Sequence, residues 1–235
     1  MNMTLQQRVA AEFLGTLLLV ATVVGSGIMG ERLASGNTAL ALLANTVATG
    51  ASLVALIIAF GPISGAHLNP VVTMMDALEH GLPWGETAPY ITGQVLGGVA
   101  GTVIAHLMFG LSVISISMHA RSGPAQVFSE FVATFGLVCV IWGASRLRSE
   151  TVPFAVGAYI TAAYWFTAST SFANPAVTIA RCFSNTFAGI RPNDVPAFLV
   201  AQFLGGLGAT LIFRWLVPNL KAEAKGILVR HEAVR

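Results

Sequence analysis

The chain has 235 residues, 55% of them hydrophobic and only 9% charged, with a formal net charge of +2. Soluble domains carry about 25% charged residues, so water cannot cover most of this surface. The small, scattered positive charge excludes a nucleic-acid binder, and two cysteines, Cys139 and Cys182, do not make a disulfide framework.

Apolar runs of about 20 residues match the thickness of a bilayer's hydrocarbon core. Six such runs are predicted as membrane-spanning helices, at 8–29, 38–60, 87–109, 125–145, 152–167 and 195–217. The first could be a cleaved signal peptide, but a matching segment recurs mid-chain, where no signal peptide acts. Arg8 precedes the first span, Arg146 and Arg148 follow the fourth, and Lys221, Lys225, Arg230 and Arg235 follow the sixth. Six spans bring all of these to one side, which the positive-inside rule makes cytoplasmic. Both termini, including a tail at 219–235, are then cytoplasmic, in a multi-pass protein of the plasma (inner) membrane. Arg32, Arg121 and Arg191 stay outside.

Two stretches interrupt the apolar runs, SGAHLNPVV at 64–72 and SFANPAV at 171–177. Each holds Asn-Pro, and Asn at an N-cap followed by Pro at the first helical position starts a helix. The helices predicted from Asn69 to about His80 and from Asn174 to about Ser184 are roughly half a bilayer long.

The chain also repeats itself in order. AEFLGT at 11–16 returns as SEFVAT at 129–134, HLNPVVT at 67–73 as FANPAVT at 172–178, and GQVLGG at 93–98 as AQFLGG at 201–206. The repeats, 8–110 and 125–218, hold three spans each, so the second enters the membrane from the opposite face. An inverted-topology repeat results, with one half-helix dipping in from each side and the two tips meeting near the midplane. Irregular backbone at that depth survives only inside protein or against a watery cavity. The expected fold is an all-α membrane protein of six spans and two half-helices, a single domain over 1–235.

SGAHLNPVVT, FANPAVT, the repeated Glu-x-x-x-Thr and the GQVLGG/AQFLGG pair resemble the aquaporin and aquaglyceroporin (major intrinsic protein) family over nearly the whole chain. The resemblance implies a pore in each monomer and a homotetramer. It places Asn69, Pro70, Val71, Asn174, Pro175 and Ala176 at the pore centre, with both Asn amides facing the passage, as geometry also suggests. Val71 stands where the family has Ala and adds bulk beside the tip. The family's outer filter maps to Thr49, Ser171, Val177 and a fifth-helix residue, Tyr164 or, by a different count, Ala162; Tyr164 is preferred.

Val177 occupies the position that is usually Arg in this family, so the filter should be wide and weakly polar. In that respect it is most similar to bacterial aquaglyceroporins associated with arsenic resistance. The expected solutes are water, glycerol-like polyols, urea, trivalent arsenite and methylated arsenicals. Arg181, one helical turn beyond Val177, either replaces the missing guanidinium or caps loop carbonyls.

Glu12 and Glu130 are charges inside spans. As a symmetric pair, they are expected to accept hydrogen bonds from the backbones entering the half-helices. His67 is expected at the cytoplasmic vestibule and Cys182 as an inert buried thiol. Gly97, Gly98, Gly205 and Gly206 read as close helix contacts. There is no nucleophile–base pair and no metal-ligand spacing, so the chain reads as a channel rather than an enzyme, with no cofactor, metal or nucleic acid implied. A secondary transporter, which can use the same architecture, is the alternative; it lacks support from any acidic cluster beyond Glu12 and Glu130.

Overall fold

The computed structural model describes residues 3–147 and 149–217. Arg148, Lys221, Lys225, Arg230, Arg235 and the tail 219–235, used above for orientation, lie outside the described residues, as does the side chain of Arg146. Among the described residues the fold is all-helical: α1 (Leu5–Leu33), α2 (Thr38–Ser64), α3 (Pro70–Leu78), α4 (Trp84–Met108), α5 (Pro124–Leu147), α6 (Val152–Phe166), α7 (Pro175–Arg181) and α8 (Val195–Leu216). Single 3₁₀ turns at Ser149–Thr151 and Pro192–Asp194 lead into α6 and α8.

Local chemistry sets the ends. Thr4 and Gln7 form a reciprocal capping box at the start of α1, and Asn37 accepts from Ala39 and Leu40 to start α2. Gly65, at φ 91°, ends α2 in the left-handed conformation that glycine adopts without strain.

Five helices are long and apolar enough to cross a membrane: α1, α2, α4, α5 and α8. The predicted span at 152–167 differs. It folds as the 15-residue α6, roughly 22 Å at 1.5 Å per residue and short of a ~30 Å core. Thr167 ends it early, its hydroxyl donating 2.7 Å back to Ala163 O, and the Ser/Thr-rich segment after it runs irregularly into α7.

The halves pack alike. α1 lies against α4 and α2, as α5 lies against α8 and α6, and contact between α2 and α6 joins the halves. The glycine pairs let backbones touch. A Cβ on Gly97 would lie 2.3 Å from Phe13 O of α1, and one on Gly205 would lie 2.4 Å from Phe131 O of α5. Their neighbours face the opposite half-helix, Gly98 against Ala176 O of α7 and Gly206 against Val71 of α3.

Polarity is inverted relative to a water-soluble bundle. Leu14, Leu18, Leu96, Val200, Leu204 and Leu211 are exposed, while Glu12, Gln94, Glu130 and Gln202 are fully buried. Apolar surroundings stabilise that arrangement, because every interior polar group must find a protein partner or a watery cavity.

Candidate functional site

The site begins at the two Asn-Pro starts. Asn69 Oδ1 accepts from Val71 N at 2.9 Å, and Asn174 Oδ1 accepts from Ala176 N at 3.0 Å and Val177 N at 3.3 Å. Pro70 and Pro175 occupy the first helical positions, where a missing N–H costs nothing. The caps also cross. Asn69 Nδ2 donates to Ala173 O at 2.8 Å, and Asn174 Nδ2 donates to Leu68 O at 2.7 Å. Each Asn therefore starts its own half-helix and ties it to the strand of chain entering the other. An amide nitrogen carries two hydrogens, so one N–H of each Asn is left without a partner among the described residues.

The segments entering the tips are strained in matching places. Ala66 and Leu68 have φ of 47° and 48°, and their counterparts Ser171 and Ala173 have φ of 50° and 49°. Non-glycine residues seldom hold that conformation unless their surroundings impose it. Two buried carboxylates do so. Glu12 Oε1 accepts from Ser64 Oγ at 2.6 Å and His67 N at 3.0 Å, and its Oε2 accepts from Leu68 N and Gln94 Nε2, both at 2.7 Å. Glu130 accepts from Phe172 N at 2.8 Å, Ala173 N at 2.9 Å and Gln202 Nε2 at 2.7 Å.

The glutamines complete each bracket. Gln94 Nε2 also donates to Thr73 Oγ1 and Gln202 Nε2 to Thr178 Oγ1, both at 2.8 Å, and each threonine donates back to the carbonyl of its cap Asn. Sequence reasoning missed Gln94, Gln202, Thr73 and Thr178. All four sit inside the repeated words that revealed the duplication, and recurrence of polar residues in apolar helices was the signal available.

A cavity enclosing about 750 Å³ of empty space, counting the solvent it opens onto, runs past both tips. Its wall has two characters. Leu19 and Val23 of α1, Thr49, Leu53 and Ile57 of α2, Leu137 and Ile141 of α5, and Val152, Val156, Ile160 and Tyr164 of α6 form stripes at four-residue spacing, almost wholly apolar. Opposite them lie the chain segments entering α3 and α7, bringing His67, Asn69, Ser171 and Asn174.

Thr49, Tyr164, Ser171 and Val177, the four predicted filter residues, all border this one cavity. Tyr164 Oη donates to Thr49 Oγ1 at 3.3 Å, joining the two halves. Ala162 is exposed on the outer face of α6. Ser171 Oγ is buried and has no hydrogen-bond partner among the described residues. His67 Nδ1 lies 3.1 Å from Thr73 Oγ1, and its Nε2 lies 3.5 Å from Asp76 Oδ2, a buried carboxylate that sequence reasoning did not single out.

Pro70, Val71, Pro175 and Ala176 are buried and none of them borders the cavity. Val71 was expected to add bulk beside the aperture. It packs instead with Met75, Val138 and Trp142 and against Gly206. Cys182 clusters with Phe172, Ile190 and Phe198 and does not itself border the cavity.

At the Val177 end, the chain between α4 and α5 folds across the segment after α7. Ser117 N donates to Cys182 O at 2.8 Å, and Arg191 N donates to His119 O at 2.8 Å. This loop buries Arg121, whose guanidinium donates to Gly189 O, Ser169 O, Thr170 Oγ1 and Phe187 O. Burial pulls Arg121 down to about 10 against a pull upward from Glu130 and Tyr164, so it keeps its charge at neutral pH.

Half-helices entering from opposite ends, crossed Asn caps and one cavity that both caps border define a membrane-pore architecture on an inverted repeat. The chain belongs to the major intrinsic protein family, whose model matches residues 1–168 and, in a second match, 144–234. It is 56% identical over 213 residues, 91% of each chain, to an aquaglyceroporin, AqpS, of Rhizobium meliloti (strain 1021). Aquaporin NIP2-2 of Zea mays is 31% identical over 229 residues, 93% of this chain and 73% of the relative. The glycerol uptake facilitator protein of Streptococcus pneumoniae is 30% identical over 165 residues, 63% of this chain and 70% of that protein. In architecture it matches the X-ray structure of the aquaglyceroporin from Plasmodium falciparum with a TM-score of 0.74, over 93% of this chain and all of that one, at 17% identity. That likeness bears on the fold.

Proposed function

We propose that the chain is a passive channel for small uncharged solutes: water, glycerol-like polyols, trivalent arsenite and methylated arsenicals. The observation that carries this reading is the convergence of Thr49, Tyr164, Ser171 and Val177 on the cavity that both Asn tips line, with no charge among the four. A polyol presents hydroxyls along one edge and carbon along the other. The cavity offers one unpaired amide N–H each at Asn69 and Asn174 on one side and aliphatic stripes on the other. Two helix N-termini add roughly +0.5 charge each at the tips, in keeping with the way half-helix dipoles exclude cations and protons in aquaporin-type pores.

Val177 in place of a guanidinium leaves the passage wider, which suits solutes larger than water. The printed names of two relatives, an aquaglyceroporin and a glycerol uptake facilitator, point to the same solute class. The reading includes one channel unit per chain, assembly as a homotetramer, and a plasma (inner) membrane location with both termini cytoplasmic.

Val177→Arg tests it. In reconstituted vesicles, glycerol and arsenite permeability should fall roughly tenfold as the added side chain narrows the passage and charges it, while water is less affected. Unchanged glycerol and arsenite rates would overturn the wide-filter reading.

A further inference from the structure

Arg181 ends α7 one turn beyond Val177, and both side chains border the cavity. Its side chain is 2% exposed. Among the described residues it makes a single hydrogen bond, from Nε to Ala188 O, and no carboxylate forms an ion pair with it. The guanidinium lies over the ring of Phe172, with Cζ 3.4 Å from the centroid, while Cζ of Arg121 is 4.9 Å from that centroid. The two arginines differ in what they have left to offer. Arg121 spends its donors on carbonyls and a hydroxyl and does not border the cavity, whereas both Nη groups of Arg181 are uncommitted at the cavity wall.

We propose that Arg181 is the charge-selective residue of this passage, repelling cations from a position one turn away from the uncharged filter. The inference rests on the channel reading and deepens it by separating two tasks. Val177 sets the width, and Arg181 sets the charge. A guanidinium is protonated at neutral pH, and low-dielectric surroundings leave its field weakly screened. The half-helix tips cannot supply the same barrier alone. The buried carboxylates of Glu12 and Glu130 accept from the backbone leading directly into the tips, His67 and Leu68 in one half and Phe172 and Ala173 in the other, and offset the tips' partial positive charges. Arg181 carries a full charge and, among the described residues, forms no ion pair, although Glu130 acts on it from a distance.

The test uses the full chain in vesicles, wild type beside Arg181→Gln, with two readouts on each preparation. Light scattering follows glycerol entry, and a potential-sensitive dye follows potassium and proton flux. In Arg181→Gln the ratio of cation flux to glycerol flux in the same vesicles should rise at least about tenfold over wild type. Arg181→Lys, which keeps the charge, should stay cation-tight. A glycerol-permeable Arg181→Gln that remains cation-tight overturns the assignment alone, as does an Arg181→Lys that leaks equally. A wild-type preparation that passes no glycerol overturns the channel reading and the assignment with it. If Arg181→Gln is not recovered folded, Arg181→Met, which keeps an unbranched chain against Phe172, takes its place under the same criteria.

Discussion

At Glu12 and Glu130, a single side chain holds a strained piece of backbone in a shape that no local preference would give it. Each carboxylate accepts from two consecutive backbone amides and from the glutamine of the last span in its own repeat. Glu12→Gln replaces one acceptor oxygen with a donor and leaves buried donors unpaired, at about 1–3 kcal/mol per group. We expect it to lower stability in detergent by on the order of 3 kcal/mol, read as a drop in the thermal midpoint, with glycerol permeability lost in parallel. A midpoint and permeability equal to wild type would show that the strained turns hold themselves. The carboxylates were legible in the sequence because a charge inside an apolar run stands out. Gln94 and Gln202 were not: an uncharged amide in a helix is ordinary, and only contact with residues 82 and 72 positions away gives it a task.

Among the elements, the half-helices show local chemistry succeeding. Asn followed by Pro fixes the start of α3 and α7 without tertiary help. The ends were less legible, since α3 stops at Leu78 and α7 at Arg181, short of the predicted His80 and Ser184. The bounds of α6 were legible to within a residue, Val152–Phe166 against the predicted 152–167; its being shorter than the other spans follows from the Ser/Thr-rich stretch that begins at Thr167. The glycine pairs make a sharper element-level claim. Gly97→Ala and Gly205→Ala would drive a methyl into the Phe13 and Phe131 carbonyls, prising α4 from α1 and α8 from α5 at a cost of roughly 1–3 kcal/mol or more. Gly61→Ala, in α2 with open space around it, should be neutral or stabilising by up to about 1 kcal/mol. Thermal unfolding of the three variants in one detergent decides this, and equal shifts for all three would contradict close helix contact as the role of Gly97 and Gly205.

For the whole molecule, the inverted repeat was written in the order of three sequence words, and the structure meets it with matched caps, matched strain and matched brackets. What the sequence concealed is long-range. The loop between α4 and α5 lies along the segment after α7 through pairings such as Ser117 with Cys182, and no periodicity encodes a pairing across 65 residues. That loop places Arg121 over the Phe172 ring, the same ring against which the Arg181 guanidinium lies.

Stopped-flow light scattering of the purified wild-type protein in vesicles, with an imposed glycerol gradient and no ion gradient, tests most directly whether the cavity between the crossed Asn tips is an open route for neutral solutes. Entry should exceed that of protein-free vesicles at least about tenfold, rise linearly with concentration and ignore added proton or sodium gradients, as expected of a pore with preformed lining donors. Entry that appears only with a proton or sodium gradient, or that never exceeds the lipid background, would contradict it.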